Sequence, residues 1–494
     1  MVFRCVRYCL LALLVSWSAL VTAAPNWSEE QQQLFGQSLT DFSRAAGTLG
    51  YLYGMPVFEL AVLEYRQTNG LAKDNNAPHA VFGYFNGGRV SSHETTWITV
   101  ANPNVLMASA WVYLKGHPYV IYVPPLDEIW YSVQFENAFG VNDAYLSSRT
   151  IGQQGGYYLV TDHAWQGALP AGIAGQVRVT TPTAWILTRI AATKADERER
   201  HLKYERHFKL IPLDRYLRDP SRAQDYVPVP PTDTPPPIAA DTAMRDTVDF
   251  FRILNHHLRQ LDIPVEEEGL MAMFDAAGFG PHVHFDAQKL PSQMLAGLAQ
   301  AARDGFRYVD TMRAAPMKPD AGGWSWPPMN MGQFGRDYLL RAIAVYGGAG
   351  GNIPAESMYP NAFSDAEGRL LSGDHDYTIT FPRDGMPPAQ SFWSITLMDA
   401  STRFMIDNPI HRNFIGSTTD GLQYNADGSL TIFISALEPA DPALRANWLP
   451  SAPGIRLQLV MRIYRPTPEA LAGKYSAPPI LRRPRGTATL PAGN

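Results

Sequence analysis

Carboxylates at the ends of predicted strands are the first residues in this sequence that could do acid–base chemistry. Glu136 ends the alternating stretch 130–135, and Asp399 ends the apolar stretch 391–398, with Asp407 in the following loop. Sites tend to form where loops and strand ends project from a rigid sheet, and a carboxyl group can donate or accept the proton of a reacting atom. These acids therefore predict a general acid or base, with structural hydrogen bonding as the alternative.

One short segment has the residue types of a metal site. His282, His284 and Asp286 alternate, so a strand would place all three on one face, and two histidines with a carboxylate suit zinc or non-haem iron. The segment follows a Gly-Phe-Gly-Pro turn between predicted helices, which favours a polar loop instead. We predict no metal site and no cofactor.

The sequence lacks the common nucleophile and phosphate-binding motifs. It contains no Gly-x-Ser-x-Gly, Ser-x-x-Lys, Gly-x-Gly-x-x-Gly or Walker pattern. The glycine-rich run 347–351 follows a predicted helix rather than a strand, which indicates a helix cap and turn. The tryptophans and tyrosines could line a cleft for a sugar or aromatic ligand, or pack in the core; the tryptophans considered are Trp97, Trp111, Trp130, Trp324, Trp326, Trp393 and Trp448.

Composition and the first residues indicate the compartment. The net charge of −5 gives no basic surface for nucleic acid. Residues 1–23 have a basic start, an apolar stretch and a small-residue cleavage site, which together predict a signal peptide and a periplasmic or secreted protein. Both cysteines, Cys5 and Cys9, precede the cut, so the mature chain has no disulfide and no thiol chemistry. No later apolar run is long enough to predict a membrane span.

The chain divides into helical and strand-rich blocks. Strands separated by Gly and Pro, such as 119–123 and 457–464, predict antiparallel sandwiches, and Asn-Ala-Asp-Gly at 425–428 predicts a hairpin joining 422–424 to 430–434. The charged stretch 194–209 predicts a solvated helix. We therefore predict an α+β, mainly β protein, with these intervals: signal peptide 1–23, N-terminal helices 24–75, β domain 76–226, Pro-rich linker 227–240, helical connector 241–332, β domain 333–470 and tail 471–494.

Motifs in both β domains resemble a known pair of domains. Residues 101–111 (ANPNVLMASAW), 155–158 (GGYY) and 182–189 (PTAWILTR) resemble the N-terminal domain DUF1254. The C-terminal block is similar to its usual partner DUF1214, through residues 387–396 (PPAQSFWSIT), 408–410 (NPI), 427–430 (DGSL), 447–450 (NWLP) and 462–466 (RIYRP). The resemblance implies two jelly-roll-like antiparallel β-sandwich domains with helical additions, in an exported and often oligomeric bacterial protein without an assigned activity.

Several positions depart from the family pattern and others keep it. Asn104, Asn137 and Phe139 stand where the family usually has Asp, Asp and Tyr, and an amide can bind a ligand but cannot titrate. If the family relies on those acids for proton transfer, this chain has lost them. The resemblance implies a substrate-binding set of Asn102, Asn104, Gln134, Asn137, Arg149, Trp393, Asn408, Asn447 and Trp448. For the asparagines and Trp448, turn capping and core packing are the alternative.

Two functions remain open from the sequence. The first is a hydrolase or lyase acting on a glycan or another small polar organic substrate, with Glu136, Arg412 and His411 as the catalytic residues. The second is a non-catalytic ligand-binding or assembly protein of the cell envelope, because the nucleophile motifs and two of the family acids are missing. The expected partners are a small-molecule or glycan ligand and further copies of the chain, with no nucleic acid.

Overall fold

A computed structural model describes residues 27–233, 236–240, 244–314 and 318–484. The predicted signal peptide and both cysteines lie outside these residues, as does the end of the predicted tail. Helices make up 29% and strands 23% of the chain, and the sheets are mainly antiparallel and open. The predicted α+β class with β-sheet domains is therefore confirmed. The Pro-rich run has no helix or strand in its described part, 227–233 and 236–237.

The first β domain is a sandwich of two sheets. One has the order β1-β2-β8-β4-β5 and the other β7-β6-β3-β9, with β6 and β7 parallel and the remaining pairs antiparallel. The strands are β1 (Gly83–Tyr84), β2 (Val105–Tyr113), β3 (Tyr119–Val123), β4 (Tyr131–Asn137), β5 (Asn142–Ser147), β6 (Gly156–Asp162), β7 (Gly175–Val179), β8 (Thr183–Ala191) and β9 (Lys209–Pro212).

Alternation along β4 decides which side chains enter the core of this sandwich. Val133 and Phe135 are fully buried between the two sheets, together with Ile121 of β3. Because successive side chains of a strand point to opposite faces, Gln134 and Glu136 project from the other face of the same strand. The sequence alternation that predicted this strand thus also separates its core residues from its polar ones.

The second β domain repeats the two-sheet arrangement. Its sheets have the orders β10-β12-β18-β14-β15, with β11 also paired to β18, and β17-β16-β13-β19. Ile379, Ile395 and Leu459 belong to the core between them. The strands are β10 (Trp324–Ser325), β11 (Ser357–Met358), β12 (Asn361–Ala362), β13 (Asp376–Phe381), β14 (Trp393–Asp399), β15 (Phe414–Gly416), β16 (Leu430–Ser435), β17 (Trp448–Pro450), β18 (Leu457–Tyr464) and β19 (Leu481–Arg483).

The described residues form nine α-helices, and five of these make a third packing unit with its own apolar core. The helices are α1 (Glu29–Thr68), α2 (Arg198–Glu205), α3 (Leu213–Arg218), α4 (Asp249–Leu258), α5 (Glu268–Ala276), α6 (Ser292–Ala314), α7 (Tyr338–Gly348), α8 (Pro442–Ala446) and α9 (Pro468–Leu471). The unit consists of α1, α4, α5, α6 and α7. Helix α7 lies inside the interval 333–470 that the sequence predicted as a β domain, yet its buried Ala342 packs with the other helices.

Helix α1 is held close to its neighbours by glycines. It begins at the cap Ser28, whose hydroxyl accepts from the Gln31 amide. A Cβ added at Gly47 or Gly54 would come within 2.7 Å of Ala301 and 2.6 Å of Leu254, respectively. By length and apolar composition α1 would suffice to cross a membrane, but 67% of its most apolar stretch is buried in the protein. Its apolar residues thus serve the helical core in this structure.

Gly50 of α1 gives a direct test of this close packing. A Cβ at Gly50 would lie 2.5 Å from the Phe279 ring, whereas one at Gly36, in the same helix, would be in ordinary contact, 3.5 Å from Gln293. We expect Gly50→Ala to lower the free energy of unfolding by about 1–3 kcal/mol through overpacking. Gly36→Ala should leave it unchanged or raise it by about 0.5–1 kcal/mol, because alanine favours the helix. Urea denaturation of both variants measures this, and equal effects would contradict the packing.

Two local predictions are wrong. The stretch 194–209 is not a fully solvated helix, because α2 packs on β2 and β8 and buries His201 and Glu205. The turn of the predicted hairpin forms at 425–428, where the Gly428 amide bonds the Asn425 carbonyl, but residues 422–424 are not a strand. Instead, β16 pairs with β13 and β17, and Asn447 holds residue 423 by hydrogen bonds to its backbone.

Candidate functional site

The sheet face that points away from the first core carries a row of polar side chains. On β4, Ser132 lies opposite Ser147 of β5 and Arg189 of β8, while Gln134 lies opposite Tyr145. Residues that are directly opposite in a sheet project from the same face. We call this set the polar face, and all its members are buried: Ser132, Gln134, Glu136, Asn142, Tyr145, Ser147 and Arg189.

Residues 350–356, here called the covering segment, lie over the polar face. The segment follows α7 and leads into the second sandwich. Arg189 donates to the Gly350 carbonyl and to Asn352 Oδ1 (3.2 Å), and Asn142 Nδ2 donates to the Gly351 carbonyl (2.9 Å). Many of the hydrogen bonds of the polar face are thus made to backbone and side-chain groups more than 150 residues further along the chain.

Glu356 closes the far end of the covering segment with an ion pair. Its Oε1 accepts from Arg149 Nε at 2.7 Å and from the Ser147 hydroxyl at 2.8 Å. Burial raises the pKa of Glu356, and the charge of Arg149 opposes that rise. Arg149, predicted as a substrate-binding residue, therefore joins the first sandwich to the start of the second.

Glu136 is the carboxyl with the most altered environment on this face. Gln134 Nε2 donates to its Oε2 at 2.9 Å, and its Oε1 is buried without a hydrogen-bond partner of normal geometry among the described residues. Burial raises the pKa of Glu136 to about 8, against the opposing charge of Arg189 and the amide of Gly350. At neutral pH the side chain is therefore mostly protonated and uncharged.

A small cavity adjoins Glu136. Its volume of about 20 Å³ is enough for one water molecule or one small functional group of a ligand. It lies where the first sandwich, α7 and the covering segment meet. Five of its eleven lining residues are glycines. A Cβ at Gly140 would overlap Val345, so the close approach of α7 to Glu136 depends on that glycine. The lining residues are Glu136, Gly140, Met331, Gly332, Phe334, Ala344, Val345, Gly348, Ala349, Gly350 and Gly351.

Asn102 and Asn104 lie in a second place, the seam between the sandwiches. Asn102 Nδ2 donates to the Tyr464 hydroxyl at 2.8 Å, and Asn104 Oδ1 accepts from the Ser394 hydroxyl at 2.7 Å. Beside them, fully buried Arg462 donates to Thr396 and to the carbonyls of residues 100 and 101. The two predicted binding residues thus hold the domains together in this structure.

Four further predicted residues form a third cluster within the second sandwich. Asn408 accepts from the Arg412 amide, and the Arg412 guanidinium donates to the Trp448 carbonyl at 2.8 Å. Asn447 Nδ2 donates to the Gln423 and Thr431 carbonyls, and Trp448 Nε1 to the Ser435 carbonyl. Each group is engaged in fixing loops, which matches the capping and packing alternative.

The side chains of the remaining predicted residues make their contacts at other places than the Glu136 cavity. Asn137 fixes the β4–β5 turn, where its Oδ1 accepts from the amides of residues 139 and 141. Trp393 packs on Phe381 in the second core. His411 is exposed, has a positive φ of 49°, and its ring lies 6.3 Å from that of His93. The predicted catalytic residues Glu136, Arg412 and His411 therefore occupy three different environments.

The metal-like segment is a loop. His282 Nδ1 lies 2.7 Å from Asp275, and Asp286 pairs with Lys289. Within the described ranges, no three His, Cys, Asp or Glu side chains are grouped to hold a metal ion.

Sequence reasoning missed Arg189 and the covering segment as parts of the site. A signal for Arg189 was available, since one arginine within the apolar strand 184–191 must be buried with partners. Nothing local marks Asn352 or Glu356, because their roles depend on contacts more than 160 residues away.

Comparison with known proteins places this two-sandwich architecture in a family. Residues 83–212 match DUF1254 and residues 356–468 match DUF1214, both described as proteins of unknown function. The chain belongs to the proteins that carry this pair of domains, and the suspected relationship is confirmed. No curated protein matches the chain.

Two solved structures are similar over most of the chain. The crystal structure of the VPA0106 protein from Vibrio parahaemolyticus aligns with a TM-score of 0.66 and 22% identity, covering 90% of this chain and 100% of that one. An uncharacterised protein from Burkholderia cenocepacia aligns with a TM-score of 0.42 and 15% identity, covering 91% and 98%. At this identity the first similarity shows the fold alone.

Proposed function

We propose that the chain is a hydrolase or lyase that acts on a glycan or another small polar organic substrate, with Glu136 as the general acid. The observation that supports this is a buried carboxyl with a pKa of about 8 and an unpartnered oxygen beside a cavity. Perturbed acids in such positions are typical of functional sites. A pKa near the working pH is also what efficient proton transfer requires.

In this proposal the proton on Glu136 moves to the substrate atom that leaves. The bond between that atom and the substrate carbon breaks as the proton arrives, and the carboxylate that remains is stabilised by Gln134 Nε2 and by the charge of Arg189. In a hydrolysis, water supplies the new bond to carbon and its released proton restores Glu136. In an elimination, the electron pair of the neighbouring C–H bond forms the double bond, and the proton released from that carbon restores Glu136. Gln134 and Arg189 then act by stabilising the ionised acid rather than by reacting.

Access to Glu136 requires movement of the covering segment. The present cavity holds one functional group and not a whole substrate, so the reacting group would enter as residues 350–352 move away from the sheet. Gly350 and Gly351 favour such movement, because glycine permits backbone conformations that other residues avoid. Lids of this kind often seal catalytic sites from water.

Glu205 provides a matched control for the test of Glu136. Burial also raises the pKa of Glu205 to about 8, but this residue lies on α2, and neither of its carboxyl oxygens hydrogen-bonds to a described residue. We expect that turnover found in a panel of neutral and acidic oligosaccharides, simple esters and amides is lost in Glu136→Gln, retained in Glu205→Gln, and declines above about pH 8. Turnover that survives Glu136→Gln would refute the assignment of the acid.

A non-catalytic ligand-binding or assembly protein is the second candidate. It is favoured by the hydrogen bonding of Asn408, Arg412, Asn447 and Trp448, whose polar groups hold loops rather than face the Glu136 cavity. Absence of turnover across the same panel, with a carbonyl band of protonated Glu136 still visible by infrared spectroscopy at pH 7, would favour this candidate. Export, a small-molecule or glycan ligand and self-association are part of both proposals.

A further inference from the structure

An open cleft of about 220 Å³ lies in the loops between α1 and β2. It shares no lining residue with the cavity at Glu136. Most of its wall is polar, and four of its side chains are charged. The residues that matter for the argument are Lys73, Asp74, Asn86, Arg89, Glu94 and Trp97.

The charges in this cleft balance but do not pair with one another. Lys73 and Arg89 are positive, and Asp74 and Glu94 are negative. None of the four forms an ion pair with another described residue. Arg89 Nε donates to the Asn86 carbonyl at 3.1 Å, which fixes one edge of the guanidinium. Both signs of charge therefore line one concave surface without cancelling each other locally.

Asn86 organises one wall of the cleft. Its φ of 50° is left-handed, a conformation that asparagine tolerates better than most residues. Its Oδ1 accepts from Trp97 Nε1 at 3.1 Å and from the Thr95 hydroxyl at 3.4 Å. Its Nδ2 donates to the Ser91 hydroxyl at 3.2 Å. The indole is thus held in place before any ligand arrives, which lowers the entropy cost of binding.

We propose that this cleft binds a small zwitterion, an amino acid or a dipeptide. The ligand carboxylate contacts Arg89 and Lys73, where the guanidinium fork suits a carboxylate. The ligand ammonium contacts Asp74 and Glu94, and the ring of Trp97 packs on the remainder or on the cation. The proposal is independent of the acid chemistry at Glu136.

Charge and size favour a zwitterion over the other small ligands. An anion would be attracted by Lys73 and Arg89 but repelled by the two carboxylates, and a cation would be attracted by the carboxylates but repelled by Lys73 and Arg89. A sugar carries no charge that would complement either pair. The cleft is also smaller than the roughly 300–1,000 Å³ of pockets for drug-sized ligands. An oligosaccharide would therefore extend beyond it.

Calorimetric titration of the full chain tests the proposal. The probes are L-lysine, L-glutamate, L-phenylalanine and L-alanyl-L-alanine, each compared with its N-acetylated and its C-amidated form, and glucose and maltose represent polyols. We expect at least one zwitterion to bind, with each blocked form at least tenfold weaker. Arg89→Met and Asp74→Asn should each weaken binding at least tenfold, whereas Arg218→Met, a surface arginine paired with Asp214, should not change it.

Each alternative result overturns the proposal in a defined way. Binding of glucose or maltose with no zwitterion binding would overturn the ligand class, and zwitterion binding that survives both Arg89→Met and Asp74→Asn would overturn the location. Absence of binding by every probe would overturn both. Since Arg89 is exposed and half-buried Asp74 lies outside the apolar cores, circular dichroism should show folded variants. Glu136→Gln should bind as the wild type does, which separates this test from the test of the proposed function.

Discussion

Between pH 6.5 and 7.5 the free energy of unfolding should fall by about 2–3 kcal/mol. The cause is that Glu136 and Glu205 are both buried with a pKa of about 8, whereas an unfolded glutamate has a pKa near 4.5. In this range the folded chain carries both protons and the unfolded chain carries neither. Each such proton changes stability by about 1.4 kcal/mol per pH unit, so stability is lost as pH rises toward 8.

Buried His257 makes the free energy of unfolding rise with pH, which is opposite to the effect of the two glutamates, but it does so at lower pH. Burial lowers its pKa to about 3 from 6.5 when unfolded, so its contribution to stability is lost as pH falls from 6.5 toward 3. Between pH 4.5 and 6.5 it cancels roughly one of the two glutamates. Above pH 6.5 only the last part of its titration in the unfolded chain remains, which changes stability by about 0.3–0.4 kcal/mol up to pH 7.5. The two acids therefore dominate the window from 6.5 to 7.5, and urea denaturation at fixed temperature measures the slope.

Single and double glutamine variants assign the slope to residues. Glu136→Gln and Glu205→Gln should each remove about half of it, since glutamine keeps the size of the side chain and cannot ionise. The double variant should show a nearly flat profile in the same window. A slope in the double variant as steep as that of the wild type would mean that other groups cause it, and that Glu136 and Glu205 are already charged in the folded protein.

The second large effect is expected at Arg341 of α7. Its guanidinium lies about 5 Å from the rings of Tyr53, Phe139 and Tyr338, and it donates to the Tyr53 carbonyl at 2.9 Å. Glu267 accepts from the hydroxyls of both tyrosines. This cluster joins α1 and α7 to the turn that follows Glu136, so Arg341 supports both the helical unit and the cavity.

We expect Arg341→Ala to lower the free energy of unfolding by about 3–5 kcal/mol. The variant removes a buried side chain, its contacts with three aromatic rings and one hydrogen bond. Arg341→Met should lose less, because it retains the apolar stem that packs between the rings. Arg336→Ala, an exposed residue just before α7, should change stability by less than about 0.5 kcal/mol.

Arg341→Ala should also change the pKa of Glu136. If α7 loosens, water reaches the cavity at Glu136, whose pKa should then move down toward its ordinary value. The pH slope between 6.5 and 7.5 should therefore become shallower in Arg341→Ala than in Arg336→Ala. A stability loss below about 1 kcal/mol in Arg341→Ala would contradict the structural role of the cluster.

The sequence by itself determined the local elements and the order of side chains along them. Strand 119–123 and strand 457–464 were predicted with the bounds that the structure has, because alternation and flanking turn residues act over a few positions. Alternation also placed Gln134 and Glu136 on one face. The motifs of the two domains were readable in the same way, since each motif lies within one short stretch.

Tertiary structure decided what those side chains do. The polar face is buried because residues 350–356 lie over it, together with α7 and residues 331–334, and the partners Arg149 and Glu356 are 207 residues apart. Glu205 was expected on a solvated helix and is buried, while Asn447 fixes the stretch that the hairpin prediction had paired with β16. No local pattern reports such contacts. A glutamate on an exposed strand end would have an ordinary pKa, and it is the loss of water around Glu136 that makes it a neutral acid.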